Sequence, residues 1–465
     1  MLSACRTDKG ASHSPSPTSV FSPNPAPPPS APISNEASVL VSAHYDPNDG
    51  KNLQPAFQAA IDHAARTGER KVTNDLAVSE AEMWCPIRTS PYGLQPDGIP
   101  LVVRQPMTID FRGLSIRLKG PNGQDRMAGQ PVEGYDKPWL GGWLYVVGHD
   151  QFDLISIENV TVDGGFHGSF QTNDDHNLTD KGFRIQDTPV DEAVLKNVEL
   201  RNFGGEIYYI GGFGPEKQTL EDCHFHGSAQ CAFNPGGIGK LTARNLQAGR
   251  AYQVAESVGG KGHKYVGCRF YDAGYGGGTF LGGPAPSFRN GYHYSYAHWD
   301  GAGAKPWVIF EDTKFEYCDF VRVGSWVKGN LDLTDTAVLP WFEVGELRDI
   351  DLSINSVIDK SNGAAAVGID GPRDSVTQVP LTPVGTYFQV PRDISLKIHC
   401  VRSNQARENG SRHGAAIEFY GGLIDVGSLS IQISGEARGA TQLIGSIAPG
   451  FEMPQVLQNG FVTLG

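Results

Sequence analysis

The chain has 465 residues, and its 58 glycines and 31 prolines against 19% charged residues describe a turn-rich protein, because helices are depleted in both turn-forming residues. This composition excludes an all-α fold. The net charge of -13 argues against a nucleic-acid partner, which would require a basic face to neutralise phosphates. An acidic polysaccharide stays open as a partner, through a local basic groove or a bridging divalent cation.

The N-terminus reads Leu2-Ser3-Ala4-Cys5, which resembles the lipobox of bacterial lipoproteins, where the cysteine carries the lipid. Residues 12 to 38 are rich in serine and proline, a composition that cannot bury a core and behaves as an extended tether. We therefore expect residues 1–44 to be a lipobox-like start and a disordered tether, on an exported periplasmic or outer-membrane lipoprotein of a bacterium. Since no run of about eighteen apolar residues occurs, membrane contact is expected only through a lipid on Cys5.

A short amphipathic helix is predicted next. Between residues 53 and 65, apolar side chains recur at Leu53, Phe57, Ala60, Ile61 and Ala64, on one helical face. A single apolar stripe suits a cap over the open end of a sheet, which would otherwise expose unpaired strand edges.

A four-residue pattern then recurs: a polar residue or glycine, followed by apolar, variable and apolar residues. It begins at Asn159, Asn197, Asp222, Asn245, Gly267, Asp312 and Asp349, and the starts from 197 to 267 lie 22 to 25 residues apart. The alternation is the two-residue period of a strand. Strands that repeat without intervening helices can bury their apolar faces only by stacking on one another.

A second strand ending in glycine is predicted after each of these, over residues 206–212, 230–237, 252–260 and 276–283. Glycine at one place in each coil suits a corner that needs positive φ. In this register Cys223 and Cys268 point into the stack, which favours core packing over redox or metal roles. We expect most other cysteines to be buried thiols, with an occasional disulfide.

These features predict an all-β fold, a right-handed parallel β-helix over residues 45–465 with an N-terminal capping helix. The run NLQPAFQAAIDHAARTG, the following strand IPLVVRQPMTIDFRGLSIRL and the coils resemble the pectate-lyase-like superfamily. The resemblance implies this fold and a carbohydrate-related activity: polysaccharide lyases, polygalacturonase-type hydrolases, uronate epimerases and phage tailspikes share it.

The catalytic acids of polygalacturonase-type relatives have no counterpart in this chain. The matching positions hold Gly205-Glu206, Ala229-Gln230 and Arg250-Ala251 in place of the aspartates. The sequence therefore argues against polygalacturonase chemistry.

Polar residues along the predicted second-strand groove are the candidates for chemistry. The predicted catalytic residues are Arg184, Glu206, Tyr208, His226, Arg250 and Glu256, and Gln230 and Tyr252 are predicted to bind substrate. Arginine, histidine and tyrosine can supply the base and the cation of a lyase. Glu206 and Glu256, two coils and about 10 Å apart, would instead suit an inverting hydrolase.

Two segments are expected to wall this groove. The insertion DGGFHGSFQTNDDHNLTDK holds Asp174 and Asp175, with Asp163 and Asp180 nearby. These carboxylates either bind Ca²⁺, or raise one another's pKa to make a general acid, or form a solvated loop. The loop between Gly283 and Trp307 is rich in aromatic residues that either stack on sugar rings or cover the flank of the helix. From this loop we predict substrate binding by Arg289, Tyr292, His293 and Trp299.

The sequence thus predicts an exported enzyme that degrades a polysaccharide, in the first instance a lyase acting by β-elimination on an acidic polymer. A glycoside hydrolase, a non-catalytic glycan-binding lipoprotein and an epimerase are the alternatives. No cofactor is certain from the sequence, Ca²⁺ being the one that the aspartates suggest. The chain is expected to be a monomer or a trimer.

Overall fold

Positive-φ residues explain why the chain turns where it does. Asn159, Asn197, Asp222 and Asn245 adopt φ of 57, 53, 54 and 54°, the left-handed region that asparagine and aspartate tolerate better than other side chains. Each begins one copy of the four-residue pattern. Asn159 and Asn197 lie within long strands, and Asp222 and Asn245 lie between two strands. The pattern therefore marks a corner of the coil, and its apolar positions point inward from the strand that follows.

The computed structural model describes residues 37–86, 98–126, 142–165, 180–212, 214–236, 239–258, 261–273, 290–295, 307–318, 320–323, 326–340, 348–358, 367–370, 392–402, 417–420, 429–435 and 462–464. The predicted tether therefore lies almost entirely outside the described residues. Within them, no helix is long and apolar enough to cross a membrane.

The described elements are one α-helix and a succession of short strands. Helix α1 spans Gln54–Thr67. The strands up to residue 163 are β1 Val39–Leu40, β2 Lys71–Thr73, β3 Glu80–Trp84, β4 Leu101–Val103, β5 Met107–Lys119, β6 Leu144–Val146 and β7 Phe152–Asp163. Those of the middle are β8 Phe183–Gln186, β9 Val190–Phe203, β10 Tyr208–Gly211, β11 Lys217–Glu221, β12 His224–Asn234, β13 Lys240–Arg244, β14 Gln247–Val258, β15 His263–Val266 and β16 Arg269–Ala273.

The remaining strands continue the same stack. They are β17 Asn290–Ser295, β18 Val308–Glu316, β19 Phe320–Val323, β20 Val327–Thr334, β21 Ala337–Pro340, β22 Arg348–Ile358, β23 Val367–Asp370, β24 Arg392–Arg402, β25 Ile417–Tyr420, β26 Leu429–Gly435 and β27 Val462–Leu464. Short 3-10 turns cover Val41–His44, Pro47–Asp49 and Pro121–Gly123.

The strand pairs of the described residues are parallel and fall into three rows that run along the stack. Row A contains β11, β13 and β15, row B contains the first half of β12 followed by the first half of β14 and then β16, and row C contains β8, β10 and the second half of β12. The chain passes through A, B and C in turn and then enters the next coil. Each row buries one face in the shared interior, so the predicted parallel β-helix is confirmed.

The interior is a stack of aromatic and aliphatic side chains. Tyr208 stacks between Phe183 and Phe225, with ring centroids 5.6 and 5.5 Å away, and Phe270 stacks on Phe315 at 4.8 Å. All six described cysteines are buried free thiols, which confirms the core role predicted for Cys223 and Cys268.

Helix α1 closes the N-terminal end of the stack as predicted. Phe57 is fully buried and stacks on Phe111, with centroids 4.9 Å apart. The side chain of Gln58 accepts from the Val102 amide at 2.8 Å and donates to its carbonyl oxygen at 3.1 Å. This contact satisfies the edge of β4, whose backbone groups would otherwise lack a partner.

The structure differs from the prediction at one corner and in one loop. Asp349 lies at the start of β22, and the strand predicted there is present, but Ile350 pairs with Val327, which continues row A through Val308, so this copy of the pattern marks a different corner from the others. Row C continues through β17, whose Tyr292 pairs with Ala255, so Tyr292 and His293 lie on a strand and not in a loop. The alternating run from residue 290 satisfies a strand period, whereas the predicted strand 276–283 lies outside the described residues.

Candidate active site

The side chains of several predicted site residues lie outside the described part of the structure. Asp174, Asp175, Arg289 and Trp299 lie outside the described residues, so the Ca²⁺ site stays a prediction. Tyr252 and Glu256 lie on β14, and Tyr292 and His293 on β17, with their side chains outside the described part.

Tyr208 was predicted to face the groove, and this is wrong. Its side chain is fully buried in the aromatic stack, and its hydroxyl donates to Oε1 of Gln218 at 2.8 Å. The prediction shifted the inward-facing and outward-facing positions of this strand by one residue. The neighbouring Tyr209 is the residue on the outer face.

Two of the predicted catalytic residues do converge on the outer face of row C. The row C cluster comprises Tyr145, Lys181, Arg184, Glu206, Tyr209 and Asn234. Arg184 lies over the ring of Tyr145, 4.5 Å from its centroid, and donates to Gln186. Burial lowers the pKa of Arg184 and raises that of Tyr145.

Glu206 is the carboxylate of this cluster and is already paired. It forms a buried ion pair with Lys181 and accepts from Nδ2 of Asn234 at 2.8 Å, while Lys181 also lies 3.5 Å from the ring centroid of Tyr209. Glu206 is only 5% exposed. A neighbouring ammonium favours the ionised carboxylate, which is the wrong form for the general acid of a hydrolase.

Asp180 is also engaged in the interior. Its carboxylate pairs with Arg126 and accepts from the Gly142 amide at 3.2 Å, and both side chains are fully buried. Asp163 accepts from the Gly165 amide at 2.9 Å and from Arg201 at 3.3 Å. These two aspartates therefore hold turns and ion pairs of the fold.

The outer face of row B carries a second polar group, which we call the histidine–tyrosine cluster: Glu199, His224, His226 and Tyr271. His224 and His226 are two residues apart on β12, so both project from the same face. Glu199 on β9 is paired directly with His224. Tyr271 lies on β16, two strands further along the row.

Two hydrogen bonds and one ring stack connect the four side chains. Nε2 of His224 lies 2.7 Å from the hydroxyl of Tyr271, and Nε2 of His226 lies 3.1 Å from Oε1 of Glu199. The two imidazoles stack with centroids 4.1 Å apart. The cluster therefore consists of two hydrogen-bonded pairs, joined by the stacked imidazoles.

Gly249 makes the contact with Tyr271 sterically feasible. It occupies β14, the strand between those of His226 and Tyr271. A Cβ atom built on Gly249 would lie 2.5 Å from Cε1 of Tyr271, closer than real Cβ atoms come. The absence of a side chain lets the tyrosine ring lie across the strand towards His224.

The pKa values of the side chains in the cluster are shifted in different directions. The hydrogen bond from His226 is the main cause that lowers the pKa of Glu199 to about 2. Burial and the neighbouring His226 lower the pKa of His224 to about 4, and burial raises that of Tyr271. At neutral pH the cluster thus consists of a carboxylate, a neutral His224 and a protonated phenol.

Arginines surround this cluster. Arg201 contacts Glu199 at 3.2 Å, and Arg269 lies over the Tyr271 ring, 4.3 Å from its centroid, while pairing with Glu316 at 2.6 Å. Arg250 is exposed at the corner after row B, with φ of 51°, and its charge opposes the rise of the Tyr271 pKa.

The predicted residues His226 and Arg250 therefore lie at this cluster, whereas Gln230 is half-buried at the start of row C.

No protein-family model matches the chain, and no curated protein matches it. Several solved structures align with most of the chain. The A-module of the Azotobacter vinelandii mannuronan C-5 epimerase AlgE6 aligns with a TM-score of 0.47 at 12% identity, covering 92% of this chain and 97% of the module. The Agl-KA catalytic domain gives 0.45 at 14% identity, covering 94% of this chain and 69% of that domain.

A tailspike protein of E. coli bacteriophage HK620 gives a TM-score of 0.40 at 10% identity, covering 92% of this chain and 80% of the tailspike. Similarity of this order leaves the chemistry of the present chain to be argued from its own residues.

Glu199, His224 and Tyr271 were missed by the sequence reasoning. Glu199 and His224 occupy the variable third position of the four-residue pattern, the position that points away from the core. Comparing these outward positions from coil to coil would have shown Glu199, His224 and Arg269 in one row. The prediction instead followed the glycine-ended strands of row C.

Proposed function

We propose that the chain is an enzyme that acts on an acidic polysaccharide by β-elimination. The observation that carries this proposal is the Tyr271 hydroxyl held 2.7 Å from Nε2 of His224 on an outer face flanked by arginines. An exposed face of a β-helix accommodates an extended polymer, because it runs the length of the stack without a closed end.

Tyr271 is the proposed proton-transferring group. The first step of β-elimination removes the proton α to the uronate carboxylate, and the second delivers a proton to the departing oxygen. A phenol hydrogen-bonded to a neutral imidazole can pass a proton in either direction, because His224 offers a nitrogen as donor or acceptor according to its tautomer. His226 and Glu199 orient His224 through ring stacking and their own hydrogen bond.

Arg250 is the proposed partner of the substrate carboxylate. When the α proton leaves, its electron pair delocalises onto the carboxylate and gives an enediolate, whose added charge a fixed cation stabilises. Arg201 and Arg269 are each held by carboxylates, Asp163 and Glu316 respectively. Arg250 is exposed at the corner after row B, and its charge acts on the Tyr271 phenol, so it can contact a polymer that lies on this face.

The steps balance without an oxidant or reductant. As the C–H bond α to the carboxylate breaks, the Tyr271 hydroxyl passes its proton to Nε2 of the neutral His224 and takes up the α proton. The electron pair then forms a carbon–carbon double bond as the C–O bond at the β carbon breaks; Tyr271 protonates the leaving oxygen and recovers its proton from His224. Each turnover yields one unsaturated uronate end and one ordinary chain end.

A glycoside hydrolase is the second candidate, and it requires a pair of carboxyl groups, one of them protonated. The Lys181 ion pair of Glu206 opposes that form. A non-catalytic glycan-binding protein and an epimerase remain distinct outcomes of the test below.

Incubation with a panel of acidic glycans tests the proposal. Ultraviolet-absorbing unsaturated products support β-elimination, and new reducing ends without that absorbance overturn it in favour of hydrolysis. Solvent deuterium at the uronate carbon without cleavage identifies an epimerase. Binding without any turnover, unaffected by Arg250→Ala, identifies a binding protein.

Export as a lipoprotein is also part of the proposal and rests on Cys5 and the tether. Metabolic labelling with a radioactive fatty acid should modify the full chain and not its Cys5→Ser variant. An unlabelled, unanchored chain in the producing bacterium would contradict it.

A further inference from the structure

Three side chains of the histidine–tyrosine cluster have the composition and placement of a metal centre. The ligand atoms of Glu199, His224 and His226 all lie within 4.8 Å of one another. Within the described part of the chain, no other group of histidine, cysteine and carboxylate side chains comes together in this way. All three residues are partly buried, so the position between them is reachable from solvent.

The strand geometry explains the convergence. A His-x-His sequence on one strand directs both imidazoles to the same face, and the paired residue on the adjacent strand supplies the third group. The pairing of the strands already sets the distance between the three side chains, so the backbone does not have to move for them to approach an ion. Two imidazoles and one carboxylate form a three-ligand set that leaves a coordination position open, as in catalytic zinc sites.

The surrounding charges permit a cation, although arginines lie close. Arg201 lies 3.3 Å from a carboxylate oxygen of Asp163, and Arg269 lies 2.6 Å from one of Glu316. Each guanidinium therefore has a carboxylate of its own to offset its charge. Arg201 also lies 3.2 Å from Oε1 of Glu199, so this one guanidinium is shared by two carboxylates, and one negative charge stays in excess beside the two imidazoles.

We propose that Glu199, His224 and His226 bind a divalent transition-metal ion of the Zn²⁺ class. Nitrogen and carboxylate ligands favour this class over Ca²⁺, which prefers an all-oxygen shell. The site is distinct from the Ca²⁺ site predicted at Asp174 and Asp175.

A role for the ion in catalysis rests on the proposed function, whereas the binding itself does not. Tyr271 contacts His224, so an ion held here lies next to the proposed proton-transferring group. Its open coordination position would accept a substrate carboxylate oxygen and act with Arg250 on the developing enediolate charge.

Direct binding measurements test the site without reference to activity. The full chain is stripped with a chelator and titrated with Zn²⁺ by calorimetry, and with Co²⁺ by visible spectroscopy. We expect His226→Ala to lose one equivalent of bound Zn²⁺, and Glu199→Gln to weaken the binding at least tenfold. His63→Ala is the matched control, because His63 also has a histidine neighbour, His44, at a centroid distance of 5.1 Å.

Equal Zn²⁺ stoichiometry and affinity in the unaltered chain, His226→Ala and Glu199→Gln would overturn the metal site. His224→Gln, which keeps a polar side chain of similar reach, repeats the measurement if circular dichroism shows that His226→Ala is unfolded. If metal binds as expected and no glycan is cleaved, the site stands and the lyase proposal fails. If the metal-free chain cleaves glycan at the full rate, the lyase proposal stands and the ion has no role in catalysis.

Discussion

Tyr271 reaches across one strand of row B to place its hydroxyl 2.7 Å from Nε2 of His224, 47 residues earlier in the chain. The strand between them contributes Gly249, which leaves room for the ring. Neither the separation along the chain nor the residue types reveal this contact. It arises from the stacking of coils, which brings outward positions of distant segments into one row.

Removing the hydroxyl of Tyr271 should abolish most activity while leaving the fold intact. We expect Tyr271→Phe to lower kcat by about 10²-fold or more, the usual contribution of a positioned acid or base, because the ring can stay in place. Tyr45→Phe is the matched control, since the Tyr45 hydroxyl makes an exposed hydrogen bond to Gly50 near the N-terminus. Rates of unsaturated product formation decide the matter, and equal rates in the two variants would contradict the assignment.

Gly249→Ala tests the steric argument without altering any reactive group. The new methyl should displace the Tyr271 ring from His224 and reduce activity at least tenfold, with a stability loss of about 1–3 kcal/mol for overpacking. Gly211→Ala is the matched control in row C, because its Cβ would lie 2.6 Å from the hydroxyl of Tyr209. Activity and denaturant unfolding are measured for both, and a similar activity loss in the control would show that the effect is only structural.

The sequence revealed the fold better than the site, and particular residues show why. Asn159, Asn197, Asp222 and Asn245 share one unusual backbone conformation, so a local requirement repeats visibly along the chain. Row pairing, by contrast, depends on where each strand begins relative to its neighbours. A one-residue displacement made Tyr208 appear exposed instead of Tyr209, because strand side chains alternate between faces. His226 and Arg250 were found because they flank the corner between rows B and C.

The ion pair of Lys181 and Glu206 should matter for stability. Glu206→Gln leaves the ammonium of Lys181 buried without its charged partner, and we expect a loss of about 3 kcal/mol or more in the free energy of unfolding. Adding Lys181→Met should recover much of this loss, because the unpaired buried charge is then removed. Denaturant unfolding of the two single variants and the double variant gives the coupling energy. Additive losses would show that the pair is well solvated.

His263 should make the stability of the fold depend on pH. Its side chain is buried on row A beside Tyr265, and burial lowers its pKa from 6.5 to about 4. The unfolded chain therefore binds a proton at a pH where the folded chain does not. The contribution is complete above pH 6.5, declines as the pH falls towards 4, and amounts to about 3 kcal/mol.

Urea unfolding of the unaltered chain and of His263→Gln, at several pH values between 7 and 4, measures this contribution. His224 titrates in the same range, because its pKa is also lowered to about 4, so the unaltered chain reports both histidines. The difference between the two proteins isolates His263. We expect it to shrink steadily as the pH is lowered, since protonation favours the unfolded state only when the buried imidazole is present. A difference that does not change with pH would mean that His263 keeps its ordinary pKa in the folded chain.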